Sequence, residues 1–232
     1  MNFALLLLLF VFDSVAFGPG GRFQLENSKD DFGVRSHGIV ETVGPGQTKF
    51  YPLPQSTAEK YTRLRPEDVR INPFSATANQ YERQEVIGPY QIEGGRIWFG
   101  NRYYDGEGMR GVGAFGYFDT STREYTLFSP PEVSRYEISA ILVERESVWM
   151  GLDSFGEDIS RSPGGFVRWN RITHETHKYP IEFVVETIQV DGGTLRLITR
   201  GGYALFRDGE IQRFLTNGTP IAQFPPPPTT HR

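Results

Sequence analysis

The sequence contains no cysteine among its 232 residues. This absence excludes disulfide bonds, thiol catalysis, cysteine-ligated zinc and a lipid anchor on cysteine. A surplus of basic charge is missing as well, since 24 Lys and Arg stand against 28 Asp and Glu and leave a formal charge of −4. A nucleic-acid-binding face requires such a surplus, so we predict no nucleic-acid partner.

Long apolar runs are scarce. Leu5–Phe12 is the one sustained run, and it is too short for a membrane-spanning helix, which needs about 20 residues. Its length and the small residues Ala16 and Gly18 after it are typical of a signal peptide. No Lys or Arg precedes it, which leaves open that it starts a core strand instead. We expect a leader over residues 1–18, export to the periplasm or the cell exterior, and no membrane span after cleavage.

Glycine and proline are plentiful, with 26 and 16 residues, too many for a helical bundle or a coiled coil. They separate copies of an internal repeat. Each copy has an apolar strand, a small-residue stretch, an alternating strand, a polar turn and a strand with aromatic residues. Three clear copies and one fainter copy cover residues 96–128, 147–181, 194–215 and 21–53 respectively.

This repeat predicts an all-β, β-propeller-like fold with about four blades of antiparallel strands. Apolar runs before the three clear copies supply an innermost strand, so that each blade has strands a to d. We expect the domain to span residues 19–224, with a loop insertion at 54–83 and a proline-rich tail at 225–232. Within the insertion, the spacing of Ser56 and Glu59 predicts a short helix.

Small and aromatic residues recur at fixed places in the copies. Gly165 belongs to a pair of small residues that opens strand c, where a side chain would obstruct a neighbouring backbone. Trp98, Trp149 and Trp169 are predicted to pack between adjacent sheets.

The first copy lacks a credible strand a once a leader is removed. The turn signal Asn217-Gly218 is followed by the short apolar segment Ile221–Phe224. We predict that this segment becomes the missing strand and closes the ring by pairing the two chain ends.

Alternating strand directions place the connections on two faces. The b–c and d–a loops share one face, here called the loop face, and the a–b and c–d turns share the other, the turn face. The loop face is the predicted binding surface because it collects long, charged and aromatic loops. Its candidate ligand-binding residues are Tyr103, Tyr104, Asp105, Glu107, Arg110, Asp153, Glu157, Asp158 and His37.

Metal binding is left open. Asp105 with Glu107, or Asp153 with Glu157 and Asp158, could offer oxygen ligands to a hard cation, but their spacing is not that of an EF-hand and solvated loops are the alternative. His174 and His177, on the turn face, are three residues apart and do not match the zinc-protease motif, so a solvated turn is expected there. No motif identifies a catalytic residue or a cofactor.

The stretches 97–101 with 113–125, and 148–152 with 164–179, resemble bacterial β-propeller repeats of the two-component-regulator and virginiamycin B lyase-like group. The resemblance implies a propeller architecture. It also implies one enzymatic alternative, since the lyases of that group use His, Glu and magnesium. The positions of those residues cannot be matched one by one in this sequence: His37 is the one histidine predicted on the appropriate face, and it lies in the faintest copy.

Three functional hypotheses follow. The first is an exported, non-catalytic propeller that binds an unidentified ligand or protein partner on its loop face. The second is a metal-assisted lyase or hydrolase resembling virginiamycin B lyase. The third is a structural subunit whose exposed sheet edges are completed by another chain.

Overall fold

A computed structural model describes residues 14–16, 22–29, 35–56, 58–64, 85–103, 111–154 and 164–221. These residues form four antiparallel sheets of four strands each, and every sheet is built from strands that are consecutive in the chain. We call the sheets blades 1 to 4. The predicted all-β, propeller-like fold with four blades is confirmed.

The strands have the following bounds. Blade 1 contains β1 (Ser14–Ala16), β2 (Arg22–Lys29), β3 (Arg35–Gly44) and β4 (Gln47–Pro52). Blade 2 contains β5 (Glu85–Glu93), β6 (Arg96–Tyr103), β7 (Phe115–Asp119) and β8 (Glu124–Phe128). Blade 3 contains β9 (Glu137–Val143), β10 (Ser147–Asp153), β11 (Gly165–Asn170) and β12 (Thr176–Tyr179). Blade 4 contains β13 (Thr187–Asp191), β14 (Thr194–Thr199), β15 (Gly202–Arg207) and β16 (Glu210–Leu215).

The hydrophobic core lies between the blades. Successive side chains of a strand point to opposite faces of its sheet, so Val148 and Met150 of β10 pack towards blade 2, whereas Trp149 packs towards blade 4. The described residues form three such cores. Their largest members are Phe23, Ile39, Phe99 and Phe118 between blades 1 and 2, Trp98, Phe115, Met150 and Trp169 between blades 2 and 3, and Trp149, Phe166, Leu197 and Phe206 between blades 3 and 4.

The tryptophans and the small residues behave largely as predicted. All three tryptophans are buried, with 2%, 8% and 3% of Trp98, Trp149 and Trp169 exposed. Gly165 has φ of 104°, and a Cβ there would lie 2.9 Å from the carbonyl oxygen of Tyr179. The corresponding pair in blade 4, Gly201-Gly202, fits the expectation in part: a Cβ on Gly202 would collide with the carbonyl oxygen of Phe214, whereas a Cβ on Gly201 would meet open space.

The start of blade 1 differs from the prediction. β1 pairs with β2, with Val15 opposite Phe23, and supplies the inner strand that seemed to be missing. This strand falls inside the stretch expected to be a leader. β1 follows the apolar run Leu5–Phe12 in the sequence and contains Ala16, one of the small residues assigned to the cleavage region, so the same short segment suits a leader and a strand.

The predicted closing strand is wrong for Ile221. Its N–H donates to the carbonyl of Arg213 in β16 (2.9 Å), so the chain folds back onto blade 4 and does not cross to β2. The turn at Asn217-Gly218 causes the reversal, since Leu215 and Thr219 hydrogen bond across it (2.8 Å). Residues 222–224 lie outside the described residues. No strand pairing joins blade 4 to blade 1 in the part of the chain that the structure describes.

The predicted insertion helix is confirmed as α1 (Ala58–Leu64). The segment that leads into the helix is attached to blade 2 at Ser56, whose buried N–H donates to the Glu85 carboxylate at the start of β5 (2.9 Å). Within the described ranges, no helix has the length and apolar character needed to cross a membrane.

Candidate functional site

Most of the predicted loop-face residues lie outside the described residues. These are Tyr104, Asp105, Glu107, Arg110, Glu157 and Asp158. Tyr103 ends β6, and only its backbone is described. The proposed binding role of these residues therefore stays a prediction.

Asp153 is the best-described loop-face candidate. It ends β10 directly opposite Glu137 of β9, and its Oδ1 accepts a hydrogen bond from the backbone N–H of Ser154 (2.7 Å). The Glu137 carboxylate lies 3.8 Å from the guanidinium of Arg102 in blade 2. Two neighbouring carboxylates and an arginine thus span the joint between blades 2 and 3 on this face.

His37 lies inside β3 and only 5% of it is exposed. Its strand β3 contacts blade 2 through β5, whereas β10, which ends at Asp153, contacts β9, β11 and β13, so the structure does not bring these two candidates together. His37 is held in a packed strand, since the Leu53 N–H donates to its carbonyl (2.7 Å). Among the described residues, no three His, Asp or Glu side chains gather to hold a metal.

The turn face is described in more detail and contains a feature that the sequence reading missed. The c–d turn of blade 2 lies at the joint of blades 1 and 2. It contains four residues, and the residues that flank it, Asp119 and Glu124, are paired across the two strands. It delivers Arg123 to the buried carboxylate of Glu41 in blade 1 (2.8 Å). The hydrogen bond from Arg123 lowers the pKa of Glu41 below its usual range. An ion pair from a turn arginine therefore closes the turn-face end of this joint, and we call a joint closed in this way sealed.

The joint of blades 2 and 3 is sealed in a similar way. The c–d turn of blade 3 again contains four residues, between Asn170 and Glu175, and the Asn170 side chain accepts hydrogen bonds from the turn's N–H groups. Arg171 of this turn binds Glu93 of blade 2 through two hydrogen bonds of 2.9 Å each. Its guanidinium also lies 4.9 Å from the ring centre of Trp98.

His174 contributes to the same seal. The turn was expected to be solvated, and His174 is indeed exposed. Its ring nevertheless stacks on Trp169 at 5.0 Å, with 21° between the ring planes, and contacts Phe128 edge-on at 5.6 Å. It therefore covers the aromatic edge of the core between blades 2 and 3.

The joint of blades 3 and 4 is open at the turn face. Here the c–d turn has only two residues, Asp208 and Gly209, between the paired Arg207 and Glu210. Their φ values of 52° and 87° are typical of the tightest hairpin turns. Among the described residues, Arg207 pairs with its exposed neighbour Asp208 alone (3.7 Å). The short turn leaves a groove of about 500 Å³ between the two blades.

We take this groove as the candidate site and call it the 3/4 groove. Its floor is aromatic, formed by Trp149, Tyr179 and Phe206. Phe206 meets Trp149 edge-on at 5.3 Å and Tyr179 edge-on at 4.7 Å. Trp149 is itself stacked on Phe166, with ring centres 5.2 Å apart and 11° between the planes.

The rim of the 3/4 groove is charged and polar. Trp149, Arg168 and His177 lie opposite one another on three adjacent strands, so their side chains share one face. The indole N–H of Trp149 donates to the Glu144 carboxylate (2.8 Å). Arg168 is oriented by a hydrogen bond from its Nε to Ser147 (2.8 Å), and its guanidinium lies 5.4 Å from the Trp149 ring centre.

The sequence held one signal for this site, namely the difference in turn length. The copies have four residues in the c–d turns of blades 2 and 3 and two in blade 4. The prediction placed all of these turns on the turn face and expected the turn with His174 and His177 to be solvated. It therefore missed that a turn residue of one blade reaches into the preceding blade.

No family model matches the sequence, and no curated protein matches it. The solved structures to which this chain is similar include two extracellular domains from B. thetaiotaomicron. One is assigned to a one component system (TM-score 0.47, 12% identity, covering 91% of this chain and 21% of that chain). The other is assigned to a hybrid two component system (TM-score 0.37, 10% identity, covering 87% of this chain and 27% of that chain). The chain thus spans about a fifth to a quarter of these solved chains.

Proposed function

We propose that the chain is an exported, non-catalytic binding module and that the 3/4 groove holds its ligand. The observation that supports this proposal is that the joint of blades 3 and 4 is open, whereas the two preceding joints are sealed. The groove in the open joint has an aromatic floor and a charged rim. Ligand sites are typically concave, largely apolar and equipped with a few converging polar groups.

The polar groups of the lining are held in fixed positions, which favours binding. Arg168 and Glu144 are each held by a hydrogen bond inside blade 3. Fixed polar groups above aromatic rings orient a bound molecule at a low entropic cost.

A ligand screen by thermal unfolding tests the proposal. The panel contains amino acids, short peptides, sugars and nucleotides, and a bound compound raises Tm by mass action. We expect the effective class to lose its Tm shift in Arg168→Gln and His177→Ala, which change exposed lining residues. The loop-face variant Asp153→Asn is the matched control and should keep the shift. The reverse pattern would move the site to the loop face.

The loop face remains a second proposed surface, because Asp153, Glu137 and Arg102 form a charged group beside the predicted long loops. The metal-assisted alternative depends on acidic residues of those loops. Millimolar magnesium or calcium should raise Tm if that alternative is right, and an unchanged Tm counts against it.

The export proposal concerns β1 directly. Cleavage after Gly18 would remove β1 and leave the inner edge of β2 without its partner strand. We expect N-terminal sequencing of the exported protein to begin at Pro19. A mature chain that retains Ser14–Ala16 would place the leader boundary elsewhere or exclude a cleaved leader.

A further inference from the structure

We infer that the 3/4 groove binds a guanidinium group, specifically an arginine side chain of a peptide or protein partner. This inference rests on the proposed function and names the chemistry of its ligand. Its basis is an internal equivalence, since the protein binds one of its own arginines at the corresponding place between blades 2 and 3.

The register of the strands establishes the equivalence. Glu93 lies opposite Arg96, two residues before Trp98. In the next blade the Glu144 N–H donates to the carbonyl of Ser147, two residues before Trp149 (2.8 Å). Glu144 and Trp149 therefore repeat the pair formed by Glu93 and Trp98, one blade further along the chain.

In the sealed joint this pair is occupied by an arginine. Arg171 forms two hydrogen bonds to the Glu93 carboxylate and lies over the Trp98 ring. A planar guanidinium suits both contacts, because its parallel N–H groups match a carboxylate and its face stacks on an aromatic ring. Only 16% of the Arg171 side chain is exposed.

In the open joint the carboxylate and the tryptophan are retained, but the two-residue turn of blade 4 carries no counterpart of Arg171. The Glu144 carboxylate lines the groove together with the aromatic floor. The Trp149 ring already has the Arg168 guanidinium 5.4 Å from its centre, so an arginine from outside would bind chiefly to the Glu144 carboxylate, beside Arg168.

The groove also contains the cationic side chains of Arg168 and Arg207, and a bound guanidinium must coexist with them. The sealed joint shows such coexistence. There Arg96 lies 4.4 Å from the Tyr117 ring centre and pairs with Asp119 (3.4 Å), beside the occupied Glu93 site. In the groove, Arg168 is likewise held by Ser147 and Arg207 by Asp208.

The test is a titration with Nα-acetyl-arginine amide, followed by the NMR signal of the Trp149 indole N–H, which Trp149→Phe identifies. Nα-acetyl-citrulline amide has nearly the same shape without the charge, and Nα-acetyl-glutamate amide carries the opposite charge. We expect saturable millimolar binding of the arginine compound and at least tenfold weaker binding of the other two.

Two variants locate the contact. Glu144→Gln keeps an acceptor for the Trp149 indole and should weaken arginine binding about tenfold. Glu146→Gln changes an exposed carboxylate outside the groove and should leave binding unchanged. Equal binding of citrulline, equal loss in both variants, or no arginine binding would overturn the inference. Preferential binding of the glutamate compound through Arg168 would also overturn it while supporting the proposed function. Failure of every compound in the wider panel as well would contradict both.

Discussion

The joint between blades 2 and 3 and the joint between blades 3 and 4 have corresponding cores but different ends. In each, a tryptophan and a phenylalanine of the earlier blade pack on the next sheet: Trp98 and Phe115 in one, Trp149 and Phe166 in the other. The difference arises in the c–d turn of the later blade, which has four residues in blade 3 and two in blade 4. Turn length thus decides whether the same core is sealed or ends in a groove.

The largest expected effect tests whether the two cores are equally strong. Trp98→Ala and Trp149→Ala should each lower the free energy of unfolding by about 3–5 kcal/mol, as is typical for truncating a buried tryptophan. Denaturant unfolding measures both. If Trp149→Ala costs less than about 1 kcal/mol while Trp98→Ala costs the full amount, the open joint has no core comparable to the sealed one.

The next prediction concerns the seal itself. Arg171→Ala removes charge-assisted hydrogen bonds to Glu93 and the cover of Trp98, and should cost about 2 kcal/mol in denaturant unfolding. Arg207→Ala is the matched control from the short turn. Arg207 is 76% exposed and, in the part of the chain that the structure describes, pairs with exposed Asp208 alone, so this substitution should lower the free energy of unfolding by no more than about 0.5 kcal/mol. Equal costs would mean that Arg171 does not act as a seal.

The repeat, the inner strands and the buried tryptophans could be read from the sequence because each depends on local periodicity. Alternation in the stretch around Ile138 predicts β9, and turn residues mark its ends. The pairing of β1 with β2 and the return of Ile221 onto β16 could not be predicted from the sequence. Both depend on which sheet edge a short segment pairs with, and the residues of the segment do not specify that edge.

The groove was hidden for a different reason. Glu144 and Trp149 are neighbours only once β9 and β10 pair. The groove beside them depends on the short turn at Asp208-Gly209, which lies more than fifty residues later in the chain. No local sequence pattern around Trp149 reveals the length of that distant turn. Comparison of turn lengths between the copies is the one sequence signal that points to it.

A smaller effect compares the residues that begin the two long turns. Asp119 begins the turn of blade 2, and its pKa is lowered to about 2, chiefly by hydrogen bonds from the Ser121 hydroxyl and N–H. A carboxylate with a lowered pKa stabilises the fold above its unfolded-state pKa, near 4, and that stabilisation is lost as the pH falls through about 2. Asn170, at the same place in blade 3, does not titrate.

The stability difference between wild type and Asp119→Asn should therefore shrink by about 1 kcal/mol between pH 5 and pH 2, after allowance for solvent screening. Urea unfolding at several pH values measures it. Asn170→Asp is the reciprocal variant and should introduce a dependence of the same sign. A constant difference between wild type and Asp119→Asn would show that the carboxylate is not held by the turn.

The smallest expected effect on stability comes from converting the open joint into a sealed one. Replacing Asp208-Gly209 with a copy of the four-residue segment Arg171–His174, together with Arg207→Asn to supply the turn's side-chain acceptor, gives blade 4 the turn of blade 3. The grafted arginine should reach Glu144, raise the free energy of unfolding by less than about 1 kcal/mol and abolish binding of Nα-acetyl-arginine amide. The same graft with alanine in place of that arginine is the control, because it adds the longer turn without the guanidinium group. It distinguishes competition for the Glu144 carboxylate from steric obstruction of the groove by the longer turn. Binding that survives in the alanine graft and disappears in the arginine graft would show that the internal and external guanidinium groups compete for one carboxylate. Binding that persists in the arginine graft would mean that the groove and the sealed joint are not equivalent after all.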